Sequence, residues 1–314
     1  MPRSIFIQAP AKLNLALSVG ALNSQGMHPI SSWMVTTNLF DDLHLETLPA
    51  KSFSLFATIW HKDALRRSDI DWSISKDLVH RAHDRLEMFI GHELPVKSRL
   101  EKRIPVGGGL GGGSSDAAAM LRGLNELFSL GVSTDDLCAI AATLGSDVPF
   151  LIEGGSAIIS GTGEQIESLD APPEIHAVFF FPEVPCPTGA VYKQFDSLSN
   201  SPSNSTSNLA SSPTEIRESK VRSLAMQSSV LATDPFNDLA DAAKIIAPAM
   251  ADDMEEIAQL AQLPIHVCGS GSSLFALCTD SMHASALAEA STTRLHIPAV
   301  AVQTIALPPM ITNP

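Results

Sequence analysis

Hydrophobic residues alternate with other residues at the start of the chain. Ile5 and Ile7 begin the pattern, and three leucines continue it after the break at Pro10: Leu13, Leu15 and Leu17. A period of two places such side chains on one face of an extended segment. The pattern therefore predicts strands with one buried face.

A second alternating segment ends directly before a run of glycines. One of its faces carries Val96, Ser98, Leu100, Lys102 and Ile104, and charged residues occupy the other face. A half-solvated strand suits an antiparallel or edge position better than the centre of a parallel sheet.

The residues after the glycines recur at helical spacing. The apolar positions are Ala117, Met120, Leu121, Leu124 and Phe128. We expect Ser114, Ser115 and Asp116 to cap the start of this helix, because short polar side chains accept from free amides there. Gly131 is a suitable end, since glycine adopts the left-handed conformation found after helices.

Further elements are predicted downstream. Residues 133–145 form a second helix that opens with Ser133 and ends near Gly145. Leu274–Cys278 is predicted to be a strand that follows a second glycine-containing turn. Between these elements, the segment 197–213 holds eight serines and almost no large apolar side chain. It buries too little surface to offset its ordering entropy, so a flexible loop or insertion is expected.

Composition narrows the function classes. The net charge is −14 and the isoelectric point is near 5.0, whereas nucleic-acid binding depends on clustered basic residues. The four cysteines form no C-x-x-C pair and are expected to be free thiols. No signal peptide or membrane span is recognised. We expect a cytoplasmic protein with no nucleic-acid or membrane partner.

The glycine run itself is a candidate phosphate site. Six of the seven residues in Gly107–Gly113 are glycine, and the run lies between a predicted strand and a predicted helix. Without Cβ atoms the backbone can turn its amides towards an anion, and the helix start adds further free amides. A Walker loop is excluded because no Gly-Lys-Ser/Thr follows. A dinucleotide fold would need a buried parallel strand upstream, which residues 96–104 do not resemble.

Three separated segments carry a family resemblance. They are APAKLNL at 9–15, PVGGGLGGGSSDAAA at 105–119 and VCGSGSS at 267–273. Together they resemble the galactokinase, homoserine kinase, mevalonate kinase and phosphomevalonate kinase (GHMP) superfamily. The segment TLGSDVPF at 143–150 and the weaker NDL at 237–239 are most similar to its members that phosphorylate a cytidine diphosphate-linked methylerythritol.

The resemblance implies a fold and a domain division. The fold would be α+β: an N-terminal α/β sandwich with a mixed or antiparallel sheet, and a C-terminal ferredoxin-like α+β domain. The ATP-binding domain would span residues 1–160 and the second domain residues 161–314, with the flexible Ser-rich insertion near 197–230. The active site would lie in the cleft between them, in a monomer or homodimer.

The resemblance also implies site residues. Lys12 and Asp147 would be the catalytic pair. The residues expected to bind ATP are Pro105, Val106, Gly107, Gly108, Gly109, Leu110, Gly111, Gly112, Gly113, Ser114 and Ser115. Those expected to contact the acceptor substrate are Asn14, Met27, His28, Thr188, Tyr192, Gly269, Ser270 and Gly271. Mg²⁺ would accompany ATP, with Ser115 as its candidate protein ligand and Asp116 as a further one.

One position departs from the family pattern. The family usually has Gly-Tyr-His where this chain has Gly26-Met27-His28, and that tyrosine stacks on the cytosine ring. Met27 can still cover an aromatic face with its polarizable sulfur. Tyr192, the single tyrosine, falls where the family has its second stacking aromatic residue.

The expected reaction is in-line attack by the substrate hydroxyl on the γ-phosphorus of ATP. Asp147 would accept the hydroxyl proton, and Lys12 would keep Asp147 ionised and neutralise charge at the attacking oxygen. Three alternatives stay open: a related kinase acting on homoserine or a mevalonate-type acceptor, a nucleotide-binding regulator without catalysis, and a dinucleotide-dependent oxidoreductase.

Overall fold

The computed structural model describes residues 2–170, 174–199, 215–307 and 310–313. Its strands are β1 (Ser4–Val19), β2 (Ile30–Thr47), β3 (Leu55–Trp60), β4 (Val96–Lys102), β5 (Ser156–Ser160), β6 (Gln165–Ser168), β7 (His176–Phe180), β8 (Phe236–Asn237), β9 (His266–Val267), β10 (Leu274–Cys278), β11 (Ala299–Ile305) and β12 (Ile311–Asn313). Its helices are α1 (Leu78–Ile90), α2 (Gly112–Leu127), α3 (Thr134–Ala142), α4 (Val148–Glu153), α5 (Thr188–Ser199), α6 (Glu218–Ala225), α7 (Ala240–Ile246), α8 (Pro248–Ala261) and α9 (Ser281–Ala290).

The strands form a mixed sheet. Its main path runs β12-β1-β2-β11-β7-β10-β9. The pairings of β3 with β4 and of β1 with β8 are parallel, while β1, β2, β11, β7 and β10 pair antiparallel in succession. Because β11 pairs with both β2 and β7, the hydrogen-bonded path continues from the N-terminal strands to the C-terminal ones. The expected α+β fold with a mixed sheet is confirmed.

The first strand is longer than its sequence suggested. Pro10 does not end it: Ser4–Val19 is one strand, with a register shift against β2 between Pro10 and Lys12. At this irregularity the Lys12 amide donates to the Leu110 carbonyl, 2.9 Å away, instead of to the neighbouring strand. The extra residues at this shift belong to β2, where residues 37–39 oppose Ala11 alone; Lys12 stays opposite Thr36 while its amide faces the glycine loop.

The core consists of three buried clusters. One packs α1, α2, α3 and α4 against the N-terminal strands, with Leu43, Leu124 and Phe150 at its centre. A second joins α5, α7, α8 and α9 to the C-terminal strands. The third, which contains Trp33 and Phe179, lies between these regions and includes Leu110 of the glycine loop. The loop is thereby anchored to the core by its one large side chain.

Most of the other predicted elements are present. β4 covers Val96–Lys102 and pairs antiparallel with β2, and α2, α3 and β10 lie where the patterns placed them. The domain division remains a prediction. Of the predicted Ser-rich insertion, residues 200–214 lie outside the described residues, while α6 beyond them buries Val221 and Leu224. Among the described residues, no helix has the length and apolar character needed to cross a membrane.

Candidate functional site

The glycine loop lines a cavity of about 330 Å³. Residues 105–114 supply one wall, and the loop before α1 supplies another through Trp72, Lys76 and Asp77. Gly107, Gly109 and Gly111 have φ values of +71°, +79° and +68°, in the left-handed region that side chains disfavour. The loop leads into the first turn of α2, whose free amides favour an anion. The cavity therefore suits a nucleotide phosphate chain.

The expected capping of α2 is wrong in its details. Gly111 is the N-cap residue, without a side-chain cap, and Ser114, Ser115 and Asp116 lie inside the helix. Ser114 and Asp116 line the cavity. Ser115 is buried, and its hydroxyl has no hydrogen-bond partner within the described parts of the chain.

The turn at residues 268–273 lies directly against the glycine loop. The Ser273 amide donates to the Gly108 carbonyl at 3.2 Å. A Cβ placed on Gly109 would lie 2.0 Å from the carbonyl oxygen of Cys268, so only glycine fits between the two segments. The second and third sequence motifs thus meet in space, although about 160 residues separate them in the chain.

The predicted catalytic pair is brought together. Lys12 Nζ lies 3.3 Å from Asp147 Oδ2, and the exposed fractions of the two side chains are 6% and 25%. Lys12 lies in β1 beside the register shift against β2, and Asp147 lies directly before α4. A nearly buried ammonium thus lies beside a carboxylate that is partly exposed and so remains accessible to a ligand.

Asn14 fixes the position of the Lys12 side chain. Lys12 Nζ donates to Asn14 Oδ1 at 2.6 Å, and Asn14 Nδ2 donates to Ser32 Oγ at 2.8 Å. Ser32 Oγ in turn donates to the Ala16 carbonyl at 2.7 Å. This buried chain of hydrogen bonds orients the ammonium. Asn14 therefore supports the pair, and it also lines a cavity together with Lys12 and Asp147.

Two further cavities continue from the glycine loop. One of about 230 Å³ is lined by Lys12, Asn14, Asp147, Gly109 and Gly111. The next, of about 490 Å³, is lined by Met27, His28, Tyr192, Lys193 and Asp196 among others. Ser146, Ile30 and Tyr192 border both of these cavities. Gly109 and Gly111 likewise border both the middle cavity and the glycine-loop cavity, so the three cavities are neighbours, with the Lys12–Asp147 pair at the middle one.

His28 and Tyr192 lie side by side in the outermost cavity. Their ring centroids are 5.1 Å apart, and His28 Nδ1 contacts the Gly20 carbonyl at 2.8 Å. His28 Nε2 lies 3.5 Å from an Asp196 carboxylate oxygen. Burial and the negative charge of Asp147 raise the pKa of Tyr192 to about 12, so its phenol stays neutral and can donate. Met27 is 45% exposed on the same cavity.

The remaining predicted residues belong to the C-terminal side. Thr188 Oγ1 and Ser270 Oγ are 2.8 Å apart, and both residues line the middle cavity together with Gly269. Gly271 differs, because a Cβ there would point at Cys186 and Met250 in the core. Asn237 donates to the carbonyls of Val267 and Gly269, which explains why the Asn-Asp-Leu segment belongs to the site.

Sequence reasoning missed a buried charge cluster under the nucleotide cavity. Lys102 Nζ lies 2.5 Å from Asp41 Oδ2 and 2.6 Å from Asp116 Oδ2, and all three side chains are almost fully buried. Burial disfavours the ammonium, but Asp116 and Asp41 outweigh it and raise the pKa of Lys102. Burial, only partly offset by Lys102, raises the pKa of Asp116 well above its usual value. The sequence did indicate a buried charge here, because Lys102 falls on the apolar face of its strand.

A second missed residue connects distant loops. Arg66 Nη1 donates to Ser272 Oγ at 3.1 Å, and Nη2 donates to the Val184 carbonyl at 3.3 Å. It thus joins the segment before α1 to the turn that contacts the glycine loop. No sequence pattern distinguishes this arginine from a surface one.

Comparisons with known proteins agree with this geometry. Residues 77–155 match the family model described as the GHMP kinases N terminal domain. A 4-diphosphocytidyl-2-C-methyl-D-erythritol kinase from Caulobacter sp. is 35% identical over 90% of this chain and 91% of its own. The enzyme of the same name from Prochlorococcus marinus is 35% identical over 90% of this chain and 86% of its own.

Solved structures give the same picture. A crystal structure of 4-(cytidine 5'-diphospho)-2C-methyl-D-erythritol kinase has a TM-score of 0.73 and 30% identity, covering 96% of this chain and 99% of that one. Homoserine kinase from Cytophaga hutchinsonii has a TM-score of 0.65 at 18% identity, covering 99% of this chain and 97% of that one. This second likeness concerns the fold alone.

Proposed function

The chain belongs to the 4-diphosphocytidyl-2-C-methyl-D-erythritol kinase family of the GHMP kinases, and on this basis we propose that it phosphorylates that substrate with ATP. The acceptor would be the 2-hydroxyl group, in a step of the non-mevalonate route to isoprenoid precursors. The chain would accordingly be an alcohol phosphotransferase.

One observation carries this proposal. The Lys12–Asp147 pair, at 3.3 Å, borders the cavity that joins the glycine loop to the His28 and Tyr192 cavity. A phosphate donor on the loop side and an alcohol on the other side would meet at this pair. Phosphoryl transfer depends mainly on such positioning and on charge neutralisation.

Each residue has a proposed role in the transfer. Asp147 accepts the proton of the attacking hydroxyl, and Lys12 positions that carboxylate and neutralises charge at the attacking oxygen. The backbone amides of residues 107–113 hold the triphosphate. His28 and Tyr192 supply ring faces and polar edges for the cytosine, with Met27 covering the same cavity.

Magnesium is proposed to accompany ATP, held mostly by phosphate oxygens. The residues present fit an oxygen-preferring cation. Among the described residues, neither the Ser115 hydroxyl nor the Asp116 Oδ1 oxygen has a hydrogen-bond partner. Ser114 and Asp116 line the nucleotide cavity, whereas Ser115 is buried and would reach the ion only if its hydroxyl turned towards that cavity. When bound, the ion would neutralise phosphate charge.

ADP release with ATP, magnesium and the cytidyl substrate tests the proposal. Asp147→Asn and Lys12→Ala should each lower kcat by about 10²- to 10⁴-fold, because each removes a group that acts in the transfer. Nucleotide binding should persist, since neither side chain belongs to the glycine loop. Matched controls are Asp135→Asn and Lys97→Ala, which change exposed residues of the same type. Wild-type turnover by either active-site variant would remove that residue from the mechanism.

The acceptor is tested separately because Met27 replaces the usual tyrosine. Homoserine and mevalonate should support less turnover than the cytidyl substrate when offered side by side. Phosphorus NMR of the product should place the new phosphate on the 2-hydroxyl. Faster turnover of homoserine or mevalonate would assign the chain to another acceptor while leaving the kinase assignment intact.

A further inference from the structure

A further cavity, separate from the three described above, lies beside α1. Its volume is about 270 Å³, and its wall includes four polar residues of one helix face: His80, His83, Asp84 and Glu87. The spacing of these residues places them within two successive turns of the helix. The kinase mechanism uses none of them.

The state of His83 is fixed by its surroundings. Its Nε2 lies 3.0 Å from the Leu94 carbonyl, an acceptor, so this nitrogen carries a proton. The ring is only 4% exposed, and its other nitrogen, Nδ1, is buried without a hydrogen-bond partner among the described residues. A histidine that donates one N–H to a backbone carbonyl and keeps the other nitrogen free has the arrangement typical of metal-binding imidazoles.

The Asp84 carboxylate lies between two such nitrogens. Its Oδ1 is 3.5 Å from His83 Nδ1, and its Oδ2 is 3.2 Å from His80 Nδ1, which is also buried and unpartnered within the described residues. His83, Asp84 and Glu87 each place one ligand atom within 4.8 Å of the other two. An imidazole nitrogen and a carboxylate oxygen at these distances attract one another only through a cation that they share, which is either a proton or a metal ion.

We propose that this cluster is a binding site for a divalent transition-metal ion such as Zn²⁺. His83, Asp84 and Glu87 are its ligands, and His80 completes the set from the other side of Asp84. Ligands of a tetrahedral zinc ion, each about 2.0–2.2 Å from the metal, lie roughly 3.3–3.6 Å from one another. The two imidazole–Asp84 separations are close to these values. Glu87 Oε1 lies on the Nε2 side of His83 and accepts from the Leu94 amide, so Glu87 would reach the ion with its other oxygen after a small rotation.

The chemistry of the site selects the class of ion. Two imidazoles and two carboxylates favour Zn²⁺, Co²⁺ or Ni²⁺ over Mg²⁺, which prefers oxygen ligands and water. Phe56 packs against both rings, with centroids 4.8 Å from His80 and 5.3 Å from His83, and so restricts their orientation. The ion would stabilise the face of α1 opposite the nucleotide cavity, a structural role distinct from catalysis.

Zinc binding to the tag-free, chelator-treated full chain tests the proposal. We expect wild type to compete with a chromophoric zinc indicator for one Zn²⁺ per chain, and millimolar Mg²⁺ to leave this binding unchanged. His83→Gln and Asp84→Asn should each weaken it by about tenfold or more, since even outer partners of a metal site contribute 10–100-fold. In His83→Gln the introduced side-chain amide can still donate to the Leu94 carbonyl, and Asp84 is half-exposed, so both variants should fold.

The control is His44→Gln, which removes an exposed histidine that also neighbours a carboxylate, Glu101. Zinc affinity should be unchanged in this variant, and kinase turnover should be unchanged in all three. The proposal is overturned if wild type shows no saturable Zn²⁺ binding, or if His83→Gln and Asp84→Asn both bind Zn²⁺ as tightly as wild type. Equal loss in His44→Gln would also overturn it, because binding would then be a general property of the surface histidines.

Discussion

The contact between the glycine loop and the 268–273 turn makes Gly109→Ala the most informative substitution in the chain. Gly109 has a φ of +79°, and an added Cβ would lie 2.0 Å from the Cys268 carbonyl oxygen. Real Cβ atoms do not approach closer than 3.0 Å, so the two backbone segments must separate by about 1 Å. Both segments line the cavity of Lys12 and Asp147, the proposed site of phosphoryl transfer.

The loss of stability expected for Gly109→Ala is estimated by comparison with two nearby glycines. Gly107 also has a positive φ, +71°, but open space around it, so Gly107→Ala should cost only the conformational penalty of about 1–2 kcal/mol. Gly109→Ala adds a steric cost of about 1–3 kcal/mol, for a total of roughly 2–5 kcal/mol. Gly113 lies in α2 with its nearest contact at 3.4 Å, so Gly113→Ala should stabilise by about 0.5–1 kcal/mol.

Urea unfolding and ADP release measure the two consequences together. Stability should decrease in the order Gly113→Ala, wild type, Gly107→Ala, Gly109→Ala. A displacement of about 1 Å near the reacting groups costs on the order of 10²-fold in rate, so kcat/KM should fall by that amount in Gly109→Ala. If Gly109→Ala is as stable and as active as Gly107→Ala, the two loops are not in the close contact described above.

Two further predictions concern buried ionisable groups. Lys102→Met should lower the free energy of unfolding by about 3–5 kcal/mol in urea titration, because Asp41 and Asp116 lose their shared cation. Lys97→Met, an exposed change in the same strand, should cost no more than about 0.5 kcal/mol, and an equal loss in both would contradict the prediction. Absorbance at alkaline pH should show the single tyrosine, Tyr192, ionising near its raised pKa of about 12. The phenol of the unfolded chain ionises at about pH 10, so the free energy of unfolding should fall by about 1.4 kcal/mol per pH unit from pH ~10 to ~12. Tyr192→Phe should lack this fall. A tyrosine absorbance midpoint near pH ~10 in the folded chain would refute the prediction.

Local patterns predicted most of the elements and much of the candidate site. Alternation identified β1 and β4, and helical spacing identified α2 and α3. The prediction of one buried face holds for β4, but β1 from Ala9 onward and residues 115–121 of α2 are buried on all sides because further elements cover them. The glycine run predicted a phosphate cavity, since its backbone conformations are open only to glycine. The resemblance to kinases then paired Lys12 with Asp147, residues that no local pattern connects.

The features that were missed depend on contacts between distant segments. Pro10 was expected to interrupt a strand, but a register shift against β2 accommodates it. Asp116 was expected to cap a helix, but Lys102 offers a stronger interaction and draws it into the core. Arg66 acquires its role only when residues 184 and 272 approach it. Propensity describes a residue and its neighbours, whereas these outcomes are decided by tertiary partners.

The bonding of Lys12 to Leu110, and of Gly108 to Ser273, has a consequence for protein synthesis. The ribosome makes the chain from its N-terminus, and domains generally fold as units once their partners have emerged. Here the proposed catalytic lysine, the glycine loop and the turn that packs on it lie about 100 and then 160 residues apart. A nascent chain that stops short of this turn would hold Lys12 and the glycines without the backbone that positions them. Incomplete chains released before residue 273 would therefore lack this arrangement, so we expect no ATP consumption until that turn has been made.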